Sequence, residues 1–298
     1  MITKTAMITI AGRPNVGKST LTNRLVGEKI TIVSPKPQTT RRRILAVTSR
    51  GDTQFIFADT PGFHRARTKL GDYMDSVVRQ SVADVDAVVL MVEPIPSLGP
   101  QEQGLIAQLR QSGVPAVLAV NKSDTLGDKK KLLPVIAAYS EVYDFADYVP
   151  ISAKTGEGVE ELLEVLGKFA VEGPQLFPDD IISDQPEKQI CAEIVREKLL
   201  LSLDKEIPHG TAVVVTKFSQ REEDDVIEMD ATIYCEKQSH KGIIIGKHGA
   251  MLKRIGEAAR RDIEAFMGAK VFLQTWVKVK ENWRDSDALL RNFGFTDE

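Results

Sequence analysis

Short apolar runs alternate with longer stretches of helical periodicity through the first part of the chain, and the alternation predicts a layered α/β domain. Met7–Ala11, Gln54–Ala58, Ala87–Val92, Val114–Val120 and Tyr148–Ile151 read as buried strands. Helical stretches fall between and after them, at Ser19–Val26, Tyr73–Val82, Gly104–Gln111, Leu132–Val142 and Val159–Val171. Strands that alternate with helices imply a mostly parallel sheet covered on both faces. Ligands of such sheets sit in the loops at the carboxyl ends of the strands.

The pattern breaks at Gly173-Pro174, Pro178 and Pro186, punctuation that marks a domain boundary. Three segments follow: a domain over residues 1–172, a linker over 173–186 and a second domain over 187–298. In the second domain the order becomes helix (Glu187–Leu203), strand (Thr211–Phe218), strand (Val226–Cys235), a helix and a glycine turn, helix (Ala250–Met267) and strand (Lys270–Lys280). That order predicts an α+β domain.

Composition narrows the class. The 298 residues are 42% hydrophobic and 27% charged, with a formal net charge of −3, so a nucleic-acid partner would have to meet a local patch. Cys191 and Cys235 are far apart and lack metal-ligand spacing, as expected of reduced thiols. No signal-peptide pattern opens the chain, and no run approaches the roughly 20 apolar residues that span a bilayer. A soluble cytoplasmic protein, monomeric and without a transmembrane segment, is the expectation.

Candidate chemistry begins at Gly12-Arg13-Pro14-Asn15-Val16-Gly17-Lys18-Ser19, followed by Thr20. G-x-x-x-x-G-K-S between a strand and a helix lets backbone N–H groups converge on phosphate, aided by the helix dipole. Lys18 would neutralise β and γ phosphates, and Ser19 would hold Mg²⁺. Asp59-Thr60-Pro61-Gly62 ends the second strand run; an aspartate there can orient Mg²⁺ through water, and the Gly62 N–H can meet the γ-phosphate. In Gln38-Thr39-Thr40-Arg41, a threonine hydroxyl can complete the metal shell, Thr40 being favoured over Thr39. Lys18, Thr40 and Gly62 are therefore the candidate catalytic residues, and Ser19, Thr40 and Asp59 the candidate metal ligands. Arg41-Arg42-Arg43 reads equally well as a phosphate or RNA contact and as a solvated basic face.

Base identity would be read by Asn121-Lys122-Ser123-Asp124, after the run Val117–Val120. A carboxylate at Asp124 accepts both hydrogens on the N1 and N2 edge of guanine, whereas adenine would leave it unpaired. Ser152-Ala153-Lys154 follows the last strand, where the Ala153 N–H could reach guanine O6. In this order the motifs resemble the translation-factor-like class of P-loop GTPases. The resemblance implies GTP and GDP binding, Mg²⁺ and hydrolysis. Where Ras-type GTPases carry glutamine after the D-x-x-G glycine, this chain has Phe63, which cannot hydrogen-bond a water, so slow intrinsic turnover is expected. Asn15 resembles the asparagine by which some such GTPases hold K⁺; a hydrogen bond within its own loop is the alternative.

In the second domain, Gly246-Lys247-His248-Gly249 follows Ile243-Ile244-Ile245. A G-x-x-G turn of this kind lets a nucleic-acid backbone approach closely. From Lys237 to Arg261, seven basic residues (Lys237, Lys241, Lys247, Lys253, Arg254, Arg260, Arg261) face the single acid Glu257, although residues 187–298 as a whole hold 18 basic and 20 acidic side chains. That concentration is an electrostatic footprint. The element order resembles a type II KH domain, with Ile243, Ile244, Gly246, Lys247, His248, Gly249, Lys253 and Arg254 as candidate RNA contacts. The two domains together resemble the Era family of bacterial GTPases. That resemblance implies binding near the 3′ end of 16S rRNA, a role in 30S subunit maturation and a peripherally inner-membrane-associated fraction. A metabolic P-loop kinase, which Asp124 argues against, and a passive RNA-binding protein with a vestigial nucleotide site are the alternatives.

Overall fold

The computed structural model describes residues 2–62, 68–81 and 85–295. The chain divides into two compact units. One comprises most of the chain up to Asp184; the other runs from Gln185 and also takes Ile32–Thr39 and a segment ending at Tyr73.

The first unit is built on β1 (Lys4–Gly12), α1 (Lys18–Val26), β2 (Ile44–Arg50), β3 (Thr53–Asp59), the part of α2 (Lys69–Gln80) from Met74 onward, β4 (Ala87–Val92), α3 (Pro100–Ser112), β5 (Ala116–Val120), α4 (Leu132–Ser140), β6 (Asp147–Pro150), α5 (Val159–Gly167) and β7 (Val171–Glu172). Its sheet runs in the order β2-β3-β1-β4-β5-β6, with β7 paired to β1. β3, β1, β4, β5 and β6 are mutually parallel, while β2 and β7 are antiparallel. Every residue of β3, β4 and β5 is buried, as near-continuous apolar strands must be when both faces are covered. Leu21 and Leu25 of α1 pack with Leu162 and Leu166 of α5 in one core cluster; Leu105 and Leu109 of α3 pack with Val135 and Tyr139 of α4 in the other. The registers Ile10↔Asp59, Gly12↔Met91 and Val120↔Pro150 bring the carboxyl ends of β1, β3, β4, β5 and β6 to one edge.

Three features of this unit differ from the pattern read along the chain. β2 was not anticipated, although Ile44–Val47 and Gln54–Ala58 flank the Gly51-Asp52 turn of a hairpin. The helix expected to reach Val171 ends at Gly167, and Val171–Glu172 returns as β7. The proline-punctuated stretch after Gly173, expected as a linker, is hydrogen-bonded to the sheet. It lies along β2, where the Val47 N–H donates to the Ile182 carbonyl (2.9 Å) and the Leu45 N–H to Asp184 Oδ1 (2.9 Å).

The second unit contains α6 (Glu187–Ser202), β8 (Ala212–Gln220), β9 (Ile227–Cys235), α7 (Gln238–Ile245), α8 (Ala250–Met267), β10 (Val271–Val279) and α9 (Asp287–Asn292). The sheet order is β10-β9-β8, with β9 parallel to β10 and antiparallel to β8. Met229, Ala231, Ile233 and Cys235 alternate along β9 onto a core shared with Ile194 and Leu199 of α6 and Ile255, Ala259 and Ile263 of α8. Cys191 and Cys235 are both buried, and burial pushes the Cys191 thiol up to about 12, so both pack as apolar groups. Trp283 is fully buried and donates from Nε1 to the Gly210 carbonyl (2.9 Å), whereas Trp276 is 54% exposed.

Candidate nucleotide site and nucleic-acid interface

The loop after β1 winds into α1 through Gly17, whose φ of 109° lies where side chains are strained; a Cβ there would also run into the Asn121 amide. Lys18 is 6% exposed and folds back on its own loop, donating to the carbonyls of Gly12 (3.0 Å) and Arg13 (3.1 Å). Burial lowers its pKa to about 8 against the opposing pull of Asp59. Asn15 is exposed in the left-handed region at φ 64°. A Cβ on Gly62 would lie 2.8 Å from the Pro14 nitrogen, so the segment Asp59–Gly62 crosses the phosphate loop at a distance that excludes a side chain. Thr60 is pinned by its hydroxyl to the Ile10 carbonyl (3.1 Å).

Three oxygens converge beside Lys18. The Ser19 hydroxyl lies 2.9 Å from Thr40 Oγ1 and donates to Asp59 Oδ2 (2.8 Å), and Thr40 Oγ1 donates to the same carboxylate oxygen (3.4 Å). Asp59 is fully buried at the end of β3, and burial raises its pKa to about 6 in spite of Lys18 and the two hydroxyls. Its Oδ1 is buried and finds no hydrogen-bond partner among the described residues. An orphaned carboxylate oxygen beside two hydroxyls is a hard-oxygen donor set, and it fits Mg²⁺. Among the described residues no group of three or more His, Cys, Asp or Glu side chains could hold a metal ion.

The base loop is tied to the phosphate loop. Asn121 donates from Nδ2 to the Val16 carbonyl (2.7 Å), and its Oδ1 accepts the Ala153 N–H (2.9 Å). One side chain thereby joins three of the predicted segments. The Ala153 N–H, foreseen as a donor to guanine O6, is engaged by Asn121 and would have to be shared. Asp124 is exposed, and its Oδ1 accepts the hydroxyl of the fully buried Ser152 (2.8 Å), which orients the carboxylate. The Lys154 carbonyl accepts a hydrogen bond from Arg24.

Arg41 is 2% exposed, so it belongs to no solvated basic face, while Arg43 is exposed. The Thr39 hydroxyl donates to the Lys36 carbonyl (2.6 Å) and its own carbonyl accepts from Arg196 of α6; in the same unit the Val33 N–H donates to Glu197 Oε1 (2.9 Å). Phe63 lies outside the described residues. Two carboxylates that the sequence reading passed over, Glu93 and Glu102, pair with Arg13, and Glu93 pairs with Lys122 as well.

In the second unit, α7 ends on Gly246 at φ 73°, and a Cβ there would sit 2.7 Å from Met251 Cβ. His248 and Gly249 take left-handed conformations (φ 51° and 78°) before α8 begins. Lys247, His248, Lys253 and Arg254 are exposed around this turn. Lys253 lies 3.9 Å from Glu257, and Arg254 Nη2 is 3.1 Å from Met251 Sδ. Ile243 is 49% exposed, but Ile244 is completely buried in the core. That overturns Ile244 as an RNA contact: its side chain lies on the face of α7 that packs into the core with Ile233 and Ile255, about 100° around the helix from Ile243.

Fold and site together define a P-loop GTPase joined to a KH domain. The family model described as 50S ribosome-binding GTPase matches residues 7–122, and the KH domain family matches residues 206–284. The chain is 49% identical over 292 residues to GTPase Era of Ruminiclostridium cellulolyticum, covering 98% of this chain and 97% of that one. It is 48% identical to GTPase Era of Caldanaerobacter subterraneus subsp. tengcongensis, covering 99% of each chain. A crystal structure of an Aquifex aeolicus Era variant bound to GDP·AlF4⁻ matches at 35% identity with a TM-score of 0.95, covering 99% of this chain and 100% of that one. An Era structure in complex with MgGDPNP and nucleotides 1506–1542 of 16S ribosomal RNA matches with the same identity, TM-score and coverage. The chain belongs to the Era family of GTPases.

Proposed function

We propose that this GTPase is a nucleotide-controlled switch that binds 16S rRNA near its 3′ end and assists maturation of the 30S subunit. The observation that carries the switch is the convergence of Ser19, Thr40 and the buried, half-satisfied Asp59 carboxylate. Ser19 and Thr40 would offer hydroxyl oxygens to the metal and Asp59 would hold it through a water; the Thr40 hydroxyl already lies against Ser19 and Asp59, and triphosphate and metal would strengthen that hold. Mg²⁺, when bound, neutralises charge on the phosphate oxygens. Lys18 releases the Gly12 and Arg13 carbonyls to meet β and γ phosphates, and the Gly62 N–H meets the γ-phosphate. The backbone from Gly12 through Arg13, Pro14, Asn15, Val16 and Gly17 to Thr20 cradles the remaining phosphate oxygens at the N-terminus of α1. Asn121, Lys122 and Asp124, with Ser152, Ala153 and Lys154 behind them, select guanine.

The RNA reading is supported by the exposed cations around the glycine turn and by the likeness to the Era complex with 16S rRNA nucleotides. The strand passes over Gly246–Gly249 with its phosphates near Lys247, His248, Lys253 and Arg254, and a base packs on Ile243. Asn15 is the candidate K⁺ ligand on the family resemblance alone. A monomeric protein and a cytoplasmic pool with a peripheral inner-membrane fraction rest on the family resemblance alone; no helix among the described residues is long and apolar enough to cross a membrane. Filter binding of an oligonucleotide spanning the 16S 3′ end tests the switch. Tighter binding with a GTP analogue and Mg²⁺ than with GDP or no nucleotide is expected, and equal binding in all three states overturns it.

A further inference from the structure

Four charged side chains form a line behind the nucleotide loops, and no established part of GTP chemistry accounts for the acids. Lys122 of the base loop pairs with Glu93, the residue just past β4. Glu93 also pairs with Arg13 of the phosphate loop, and Arg13 Nε lies 3.4 Å from Glu102 Oε1 on α3. Signs alternate along the line, so each inner member has an opposite charge on both sides. Burial alone would raise the Glu93 carboxyl, but the hydrogen bond and charge of Lys122, joined by those of Arg13, hold it below its ordinary value. Glu102 is 5% exposed, and a Cβ on Gly99 would come 2.8 Å from its Oε2, so α3 presents this carboxylate with little room to move.

The two cations that Glu93 takes, Lys122 and Arg13, come from the loops that hold opposite ends of a nucleotide. Arg13 is the second residue of the phosphate loop, and Lys122 lies between Asn121 and Asp124. Both are flexible side chains on turn backbone; Lys122 itself is in the left-handed region at φ 63°. Asn121 already joins these loops on one side through the Val16 carbonyl. A carboxylate that takes a cation from each loop is a second brace. None of the three hydrogen bonds within the Ser19–Thr40–Asp59 cluster involves Glu93.

We propose that Glu93 is a positioning residue for guanine nucleotides: by holding Arg13 and Lys122 together it fixes the phosphate loop to the base loop and so sets the rate at which nucleotide leaves. The brace acts on the common part of the nucleotide, so GDP and GTP are retained by the same factor. Such uniform binding alters occupancy without altering the chemical step. This inference rests on the guanine-nucleotide reading given above.

Displacement of a fluorescent GDP, and separately of a fluorescent non-hydrolysable GTP analogue, tests it on the full chain. Glu93→Gln keeps shape and removes charge. Release of both nucleotides is expected to speed up by about tenfold, the size for a partly exposed charge pair bridging two loops. Cleavage of prebound GTP in a single turnover should stay within twofold, and Glu93→Asp should recover part of the retention. Raising salt should hasten release from the parent protein and have little effect on Glu93→Gln. Release unchanged in Glu93→Gln would overturn the proposal, as would slowed single-turnover cleavage with normal release. A drop in nucleotide-free melting temperature that by itself accounts for the lost affinity would also overturn it. Arg13→Gln supplies an independent check. Combined with Glu93→Gln it should weaken retention less than the product of the two single effects, whereas a full product would remove Arg13 from the brace. A parent protein that fails to retain guanine nucleotide at all would defeat both this inference and the reading beneath it; normal retention with an indifferent Glu93→Gln would defeat the inference alone.

Discussion

The two candidate sites both rest on polar side chains around a glycine-shaped turn, but in opposite states of burial. Around the phosphate loop, Lys18, Asp59, Asn121 and Ser152 are each under 10% exposed and hydrogen-bonded to one another or to the loops they join. Around the glycine turn, Lys247, His248, Lys253 and Arg254 stand in solvent on a backbone shaped by Gly246 and Gly249. The first is a preorganised site whose polar groups hold one another in place, Asp59 Oδ1 excepted. The second is a charged surface whose shape resides in the backbone. The physical consequence is a difference in how energy is distributed: concentrated and sensitive to geometry in one unit, spread over many weak, salt-screened contacts in the other.

The largest effect should come from the base loop. Asp124→Asn replaces a double acceptor with an amide and should turn preference from guanine to xanthine nucleotides by roughly a thousandfold, because a site built for paired hydrogen bonds rejects the mismatched base strongly. Competition between the two diphosphates measures it, and retained guanine preference would break the claim that this cavity reads the base by a carboxylate.

Next comes the proton at Asp59. Burial raises its pKa to about 6 without metal, and a metal needs the anion. Mg²⁺ affinity should therefore fall about tenfold for each pH unit below about 6 and level off above it. The sign reverses for the metal-free protein. There the folded carboxyl holds its proton to higher pH than the unfolded one, so stability should decline as pH rises from about 4 to about 6. Magnesium titrations and melts in chelator across that range check both limbs. A flat Mg²⁺ profile would mean that the orphaned Asp59 oxygen is not part of the metal site.

Smaller effects belong to the second unit. Gly246→Ala places a Cβ at φ 73° and 2.7 Å from Met251 Cβ, strain worth about 1–3 kcal/mol. RNA affinity should drop while GDP affinity stays unchanged. Lys253→Ala and Arg254→Ala should each weaken RNA binding only a few fold, uniformly across sequences, and flatten its salt dependence by about one phosphate contact. If either cost as much as Asp124→Asn, the contrast between a built cavity and a charged surface would be wrong.

Much of the site was legible because its motifs act through local backbone. Glycines at fixed spacing, a lysine at the start of α1 and an aspartate at the end of β3 need only a strand–turn–helix context, and the alternation of apolar runs supplies it. The carboxyl ends of parallel strands then collect the separate motifs without further instruction. The second unit was legible for a similar reason, since the element order and the cluster of cations are both written along the chain.

What the amino-acid sequence determined by itself was therefore the α/β order, the phosphate, metal and base motifs, and the charged glycine turn. Only the tertiary structure decided which equivalent-looking residues face which way. Ile243 lies outside and Ile244 inside because α7 packs the Ile244 face into the core of its unit. The Ala153 N–H is engaged by Asn121, Arg41 is buried rather than solvated, and the proline-rich stretch lies along β2. Glu93 and Glu102 carry no motif, and they matter through two partners distant in sequence, Arg13 and Lys122. Periodicity encodes contacts within an element; pairings between elements depend on distances that exist only once the chain has closed on itself.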